Sequence, residues 1–84
     1  MRLARYVKFR EERFGGVLFE TRSEKVFALN PTASAIVREI AREDCDEPAL
    51  IVRLADRYSG SRAAIETEVA AFVGDLRGRG LLED

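Results

Sequence analysis

The N-terminal part of the chain alternates between apolar and polar positions in three short runs, which predicts β-strands. The first run, residues 6–14, starts with apolar residues two positions apart and continues into charged residues, as expected for a strand with one solvated face. Gly15 and Gly16 then predict a tight turn or bulge, because glycine adopts positive φ without steric cost. Residues 17–19 resume as a second strand, so the two runs form a predicted hairpin.

A polar turn leads from this hairpin to Lys25–Leu29, a run rich in β-forming residues. With a period of two, Phe27 and Leu29 share one face and Val26 and Ala28 share the other, and the bulkier pair is predicted to face the core. As the third strand of an antiparallel meander, this run should lie at an edge of the sheet and expose unpaired backbone groups.

Asn30 and Pro31 predict the start of a first helix. Asparagine caps free N–H groups, and proline at the first helical position lacks a donor that would have no partner there. The helix extends to about Arg42, and Arg38, Glu39 and Arg42 lie outside its apolar stripe. That stripe, at 3.6-residue spacing, comprises Ala33, Ile36, Val37 and Ile40.

A second predicted helix opens at Asp46 or Glu47 with Pro48 and stops at Gly60. Its apolar face comprises Leu50, Ile51, Leu54, Ala55 and Tyr58. Ser61 caps the third and longest predicted helix, which ends in a glycine-rich segment. The apolar stripe of that helix comprises Ile65, Val69, Phe72, Val73 and Leu76.

The order of elements, β-β-β-α-α-α, predicts an α+β, winged-helix-like fold in one domain that covers residues 1–84. Leu81 and Leu82 follow the last helix as an apolar tail that either seals the core or adds a short strand. A chain of this length closes one hydrophobic core, so we expect no second domain.

The net charge excludes a general attraction to nucleic acid or to anionic lipid, because the chain has 14 basic and 15 acidic residues. The halves differ, however. Residues 1–42 carry nine basic and five acidic side chains, whereas residues 43–84 carry five and ten. This asymmetry either orients a charged partner or reflects two solvated faces that attract each other within the fold.

Catalytic groups are scarce, since the chain has no histidine and one cysteine. Those residues supply the usual general base, the commonest metal ligands and any internal disulfide. The adjacent carboxylates Glu11 and Glu12 point to opposite faces of a strand, and Glu66 and Glu68 diverge on a helix. The sequence therefore predicts a protein that is not an enzyme and holds no cofactor or metal.

The acidic segment 43–47 lacks the alternating ligands and central glycine of a calcium loop. Cys45 lies within it, and we expect nearby negative charge to raise its thiol pKa and reduce its reactivity. No apolar run has the length of a signal peptide or a membrane span. With a lone cysteine, these features predict a cytoplasmic protein that does not bind membranes.

Three binding roles fit this inventory of elements. A winged-helix DNA-binding protein would read DNA with its third helix. That helix carries two basic residues, Arg62 and Arg77, and three acidic ones, Glu66, Glu68 and Asp75, so its net charge is unfavourable for DNA. A dimerisation module would pair the free edge strand with a second copy to form a homodimer. An extended peptide could add to that edge instead, with apolar anchors from the third helix beside it.

Sequence motifs favour the third role. The letters VFALN followed by PTASAIV, residues 26–37, resemble the PqqD-like family of peptide chaperones, or precursor-recognition elements, of ribosomally synthesised and modified peptides. The similarity continues through LIVRLADRY at 50–58 to GLL at 80–82. Residues 9–19 resemble the start of the mycofactocin chaperones in that family.

The resemblance implies a winged-helix-like fold that binds the leader of a precursor peptide in a groove between the third strand and the third helix. It further implies delivery to a radical S-adenosylmethionine maturase, with no cofactor on this chain. Core packing is the alternative role for the side chains of the third helix. The implied peptide-binding residues are Lys25, Val26, Phe27, Ala28, Leu29, Val69, Phe72, Val73, Leu76 and Arg77.

Overall fold

The computed structural model describes residues 1–84 and contains two sheets and three helices. A three-stranded antiparallel sheet followed by three helices confirms the predicted α+β fold. In chain order the elements are β1 (Arg2–Leu3), β2 (Val7–Glu12), β3 (Gly15–Glu20), β4 (Lys25–Leu29), α1 (Pro31–Arg42), α2 (Glu47–Arg57), α3 (Arg62–Gly78) and β5 (Leu82–Glu83).

The main sheet has the order β2-β3-β4, so β4 is an edge strand. Its two faces follow from the register, which pairs Leu18 with Phe27 and Phe19 with Val26. Leu29 is buried and Phe27 is half-buried, whereas Val26 and Ala28 are exposed, so the predicted faces of this strand are confirmed. We call the solvated side of the sheet the outer face; it carries Lys8, Arg10, Val17, Phe19, Val26 and Ala28.

The predicted glycine turn is wrong. Gly15 and Gly16 lie in β3, and the chain reverses at residues 13–14 instead. These glycines are needed for close approach: a Cβ on Gly15 would lie 2.1 Å from the Leu29 carbonyl oxygen, and one on Gly16 would lie 2.8 Å from Ser34 Oγ. The tight contact lets the hairpin pack against the junction of β4 and α1.

Each helix begins at the predicted cap. The side chains of Asn30, Asp46 and Ser61 accept a hydrogen bond from the backbone N–H three residues ahead, at 2.8, 2.9 and 3.1 Å. These bonds satisfy donors that the first helical turn leaves free. Tyr58 is not on the buried face of α2; it follows the helix as its C-cap and remains exposed.

One cluster of buried apolar side chains joins all three helices to the sheet. Glu39 was predicted to lie outside the apolar stripe of α1, but it is 1% exposed because α2 covers that flank. Its carboxylate lies 3.6 Å from Arg42 and 3.5 Å from Arg57 and makes no hydrogen bond. Cys45 is also buried, and desolvation, ahead of its acidic neighbours, raises the pKa of its thiol.

The two chain ends form a second, two-stranded sheet that the sequence predicted only in part. Leu82–Glu83 forms a short strand, as one alternative proposed, and it pairs with Arg2–Leu3. Leu81 seals the core at 1% exposure, which was the other alternative. None of the helices has the length and apolar character needed to cross a bilayer.

Candidate functional site

The backbone groups that β4 leaves free can be worked out from one hydrogen bond between β2 and β3. The Thr21 N–H donates to the Tyr6 carbonyl at 2.9 Å, just beyond the paired residues Val7 and Glu20. In an antiparallel ladder, bonds that flank a pair in this way mark a pair whose own backbone groups point outward. The N–H and C=O of Glu20 therefore face away from β2 and toward β4.

The same alternation continues across β4. Glu20 pairs with Lys25, so Lys25, Phe27 and Leu29 bond to β3, and the residues between them point the other way. Val26 and Ala28 thus direct their N–H and C=O groups at the outer edge, where no strand pairs with them. Four backbone groups are ready for an added strand.

Helix α3 lies beside this edge and runs antiparallel to it. Near the end of α3, the Arg79 guanidinium lies 5.3 Å from the Phe27 ring centroid, and the Tyr6 hydroxyl donates to the Gly80 carbonyl at 2.7 Å. Near its start, Ile65 shares a cavity lining with Pro31, which follows β4. The space between β4 and α3 is therefore bounded by Arg79 over Phe27 at one end and by the Pro31 and Ile65 cavity lining at the other, and we call this space the groove.

A cavity of about 530 Å³ lies among the three helices, beyond the Pro31 end of the groove. The start of α1, the end of α2 and the first turns of α3 enclose it. Pro31, Leu54 and Ile65 give it apolar walls, and Tyr58 and Glu68 add polar groups. A pocket of this size and mixed lining suits an apolar side chain with a polar neighbour.

One row of α3 side chains faces the groove. Positions 65, 68, 72, 75 and 79 repeat every three or four residues, so they share one side of the helix. Ile65 and Glu68 line the cavity, Arg79 reaches Phe27, and half-buried Phe72 lies between these ends. Phe72 is therefore the apolar residue in the middle of this row, and its half-buried ring also packs against the core.

The other predicted α3 residues lie elsewhere. Val69, Val73 and Leu76 are 1%, 2% and 2% exposed and belong to the core, although Val69 also forms part of the cavity floor. Arg77 turns to the chain terminus, where its guanidinium holds both oxygens of Asp84 at 3.0 and 3.2 Å. Three of these four residues are therefore core residues, and Arg77 lies at the chain terminus, so only Phe72 among the predicted α3 residues is half-buried on the side of Glu68 and Asp75.

Ion pairs leave α3 without an unpaired cation. Arg62 lies 3.5 Å from Glu66, and Arg77 is held by Asp84, whose pKa is lowered by that arginine. Phosphate binding needs several cations that are free to replace counterions. The helix is consequently a poor DNA-recognition element, whereas the unpaired carboxylate of Glu68 gives the groove one negative charge.

The sequence did not reveal the cavity residues Pro31, Tyr58 and Glu68, because the cavity arises where the ends of three helices meet. Ile65 carried a signal as part of the apolar stripe, but nothing separated it from a core residue. No three metal-ligating side chains converge anywhere in the chain. In the acidic loop, Glu43 pairs with Arg53 at 3.3 Å, so that carboxylate is already engaged.

Comparison with known proteins identifies the family. The family model described as Coenzyme PQQ synthesis protein D (PqqD) matches residues 15–82, well over half of the chain. The chain belongs to the PqqD family. No curated protein sequence matches this PqqD-family chain.

Two solved structures share the PqqD-family fold described above. TbiB1 in complex with the TbiA(beta) leader peptide has a TM-score of 0.84 at 22% identity, covering 99% of this chain and 95% of that one. A lasso peptide synthetase B1 complexed with the leader peptide has a TM-score of 0.79 at 26% identity, covering 99% and 96%. Both proteins were therefore solved with a leader peptide bound.

Proposed function

We propose that this PqqD-family chain is a non-catalytic chaperone for the leader of a ribosomally synthesised precursor peptide. The leader adds as a strand to β4 and places alternate side chains in the groove against α3. The chain then presents the leader to a radical S-adenosylmethionine maturase in the cytoplasm and holds no cofactor of its own. Binding and presentation are its whole task.

The observation that carries the proposal is the free edge of β4 beside an apolar groove. Val26 and Ala28 offer two donors and two acceptors along the edge, and α3 carries the half-buried Phe72 and part of the cavity lining. Edge strands of this kind bind extended peptides through the backbone, while neighbouring pockets select side chains. The leader-bound structures that share the fold support the same class of ligand.

Magnitudes require both parts of the site. Four backbone hydrogen bonds at roughly 0.5 to 1.5 kcal/mol each barely exceed the roughly 2 to 5 kcal/mol that ordering a flexible peptide costs. Two apolar side chains buried in the groove add about 1.5 to 3 kcal/mol apiece. We therefore expect the leader to carry at least two apolar residues that alternate along its sequence.

Titration of the isotope-labelled chain with the leader encoded beside its gene tests the proposal. Amide signals of β4 and of the α3 row should shift, with the largest changes at Val26 and Ala28. Shifts confined to the basic segment before β2 would contradict the groove model. A nearby precursor gene and a nearby radical maturase gene are expected, and the absence of both would count against the maturase step.

Substitution in α3 separates groove residues from core residues. Phe72→Ala should weaken leader binding about tenfold or more, with a smaller loss of stability, because its ring is half-buried in the groove wall. Val73→Ala, at a core position one residue away, should instead lower the free energy of unfolding by about 1 to 3 kcal/mol. Calorimetric titration and urea unfolding measure the two effects, and equal profiles for the variants would contradict the assignment.

A further inference from the structure

The outer face of the sheet carries an uncovered apolar patch. Val17, Phe19, Val26 and Ala28 adjoin one another across β3 and β4, since the register pairs Phe19 with Val26 and Val17 with Ala28. Val26 is 60% exposed and Phe19 is 38% exposed. A solvated face of an antiparallel sheet ordinarily carries polar side chains, so this patch departs from the expected pattern.

Cations border the patch on its β2 side. Lys8 lies opposite Phe19, and Arg10 lies opposite Val17. Lys8 makes no ion pair, whereas Arg10 contacts Glu12 at 2.6 Å on the same strand. On the other side the patch ends at the free edge of β4, where Val26 and Ala28 also offer their backbone groups.

A strand added to that edge would enlarge the patch. Side chains of a strand alternate between faces, so every second residue of the added peptide would join the outer face next to Val26 and Ala28. The two strands present roughly 150 Å² of sheet, from their spacing and rise, and a third strand adds about half as much again. The surface of the loaded chain is then composed of both molecules.

A second copy of the chain is a poor occupant of this surface. In a two-fold interface whose axis runs across the strands, each copy would bring Lys8 and Arg10 close to the same cations of the other copy. The patch is also far below the roughly 800 Å² per partner that a stable dimer buries. A partner with an apolar centre and a carboxylate border fits the charge, and a small interface fits a transient encounter.

We propose that the outer face is the docking surface for the enzyme that modifies the bound peptide, and that this enzyme contacts the chain and the added peptide strand together. The proposal rests on the peptide-binding function above. The added strand lets the enzyme distinguish the two states: the empty chain presents only about two thirds of the contact surface, so the enzyme binds the loaded chain more tightly and releases the empty one.

The test uses the full chain, the leader and the modifying enzyme encoded beside its gene, each purified. Fluorescence anisotropy of a labelled leader reports its affinity for the chain, and titration of the enzyme into the loaded complex reports docking. Phe19→Ser should leave leader affinity within about twofold and weaken docking by about tenfold, as expected for one lost apolar contact. Lys8→Glu should weaken docking roughly threefold through the association rate.

Phe14→Ser is the matched control, because Phe14 is 56% exposed in the β2–β3 turn and lies outside the patch. It should change neither affinity, and the enzyme should bind the empty wild-type chain more weakly than the loaded one. Docking that ignores Phe19 and Lys8, or that responds equally to Phe14→Ser, would overturn the docking surface alone. Failure of the wild-type chain to bind the leader would overturn the chaperone function. If the chain instead binds a DNA duplex in a salt-sensitive way, and Lys8→Glu abolishes that binding, the outer face would be assigned to nucleic acid.

Discussion

Gly15 has a backbone φ of 142° and lies against the end of β4. Side chains rarely adopt this conformation, and a Cβ would lie 2.1 Å from the Leu29 carbonyl oxygen, so Gly15→Ala should cost about 2 kcal/mol or more. Gly74→Ala is the control, because no atom lies within 4 Å of a Cβ at that helical position. The control should stabilise the chain by roughly 0.5 to 1 kcal/mol in urea unfolding, and similar signs for both variants would contradict the packing argument.

Glu20 makes the stability depend on pH. The Ser23 hydroxyl, then the Arg22 and Ser23 N–H groups and the Arg22 charge, lower the pKa of its carboxyl. A carboxyl with a lowered folded pKa contributes stability above its unfolded pKa, and that contribution is lost as pH falls through the folded value. The wild-type chain should therefore lose more unfolding free energy between neutral pH and pH of about 3 than the Glu20→Gln variant does, which urea midpoints measure. If the unfolding free energies of the two chains fall in parallel with pH, Glu20 does not have this role.

Single residues were predictable where local pattern decides their position. Alternation placed Phe27 and Leu29 toward the core correctly, because a strand has only two faces. Glu39 and Cys45 were not predictable in this way, since their burial depends on α2 and on the chain terminus that pack over them. Residue chemistry alone favoured solvent for both.

At the scale of elements, the direction of backbone groups in β4 leads to a sharp test. Ala28→Pro removes an N–H that points to the free edge, so leader affinity should fall by about tenfold while the unfolding free energy changes little. Lys25→Pro is the matched control, because that N–H bonds to Glu20 in β3. It should lower stability more than Ala28→Pro, and equal destabilisation by both would show that Ala28 faces the interior of the sheet.

Whole elements were predictable when they carried a cap or a long period. All three helices start where Asn30, Asp46 and Ser61 indicated. The glycine pair misled the prediction of the turn, because glycine serves close approach as readily as reversal of the chain. The strands Arg2–Leu3 and Leu82–Glu83 are too short to show any period, so only long-range pairing reveals β1.

For the molecule as a whole, the chain ends hold the wall of the groove. Leu81 accepts a bond from the Ala4 N–H at 2.9 Å and donates to Leu76 at 3.0 Å, which ties α3 to β1. Leu81→Ala keeps these backbone bonds but removes a buried side chain, so it should lower the unfolding free energy by about 2 to 4 kcal/mol and weaken leader binding by loosening the end of α3. Leu82→Ala, at a half-buried position, should lower the unfolding free energy less in urea unfolding, and equal losses would contradict the packing role of Leu81.

The site could be predicted as a pair of elements but not as a surface. Sequence pattern supplied an edge strand and an apolar helix, and both adjoin the groove. It could not divide the α3 stripe, because one apolar stripe serves the core and the groove at once. Phe72 is half-buried and Val73 is fully buried, because neighbouring residues point roughly 100° apart around a helix.

Val26 and Ala28 also impose a reading frame on any strand that pairs with them. Their outward groups recur every second residue, so a bound peptide can slide only in steps of two. A shift by one residue would exchange the side chains in the groove for those on the outer face. A residue inserted ahead of the apolar pair of a peptide shifts both anchors together, so the pair can still occupy the groove. The spacing between the two anchors, rather than their distance from the peptide terminus, therefore determines whether a peptide fits the edge.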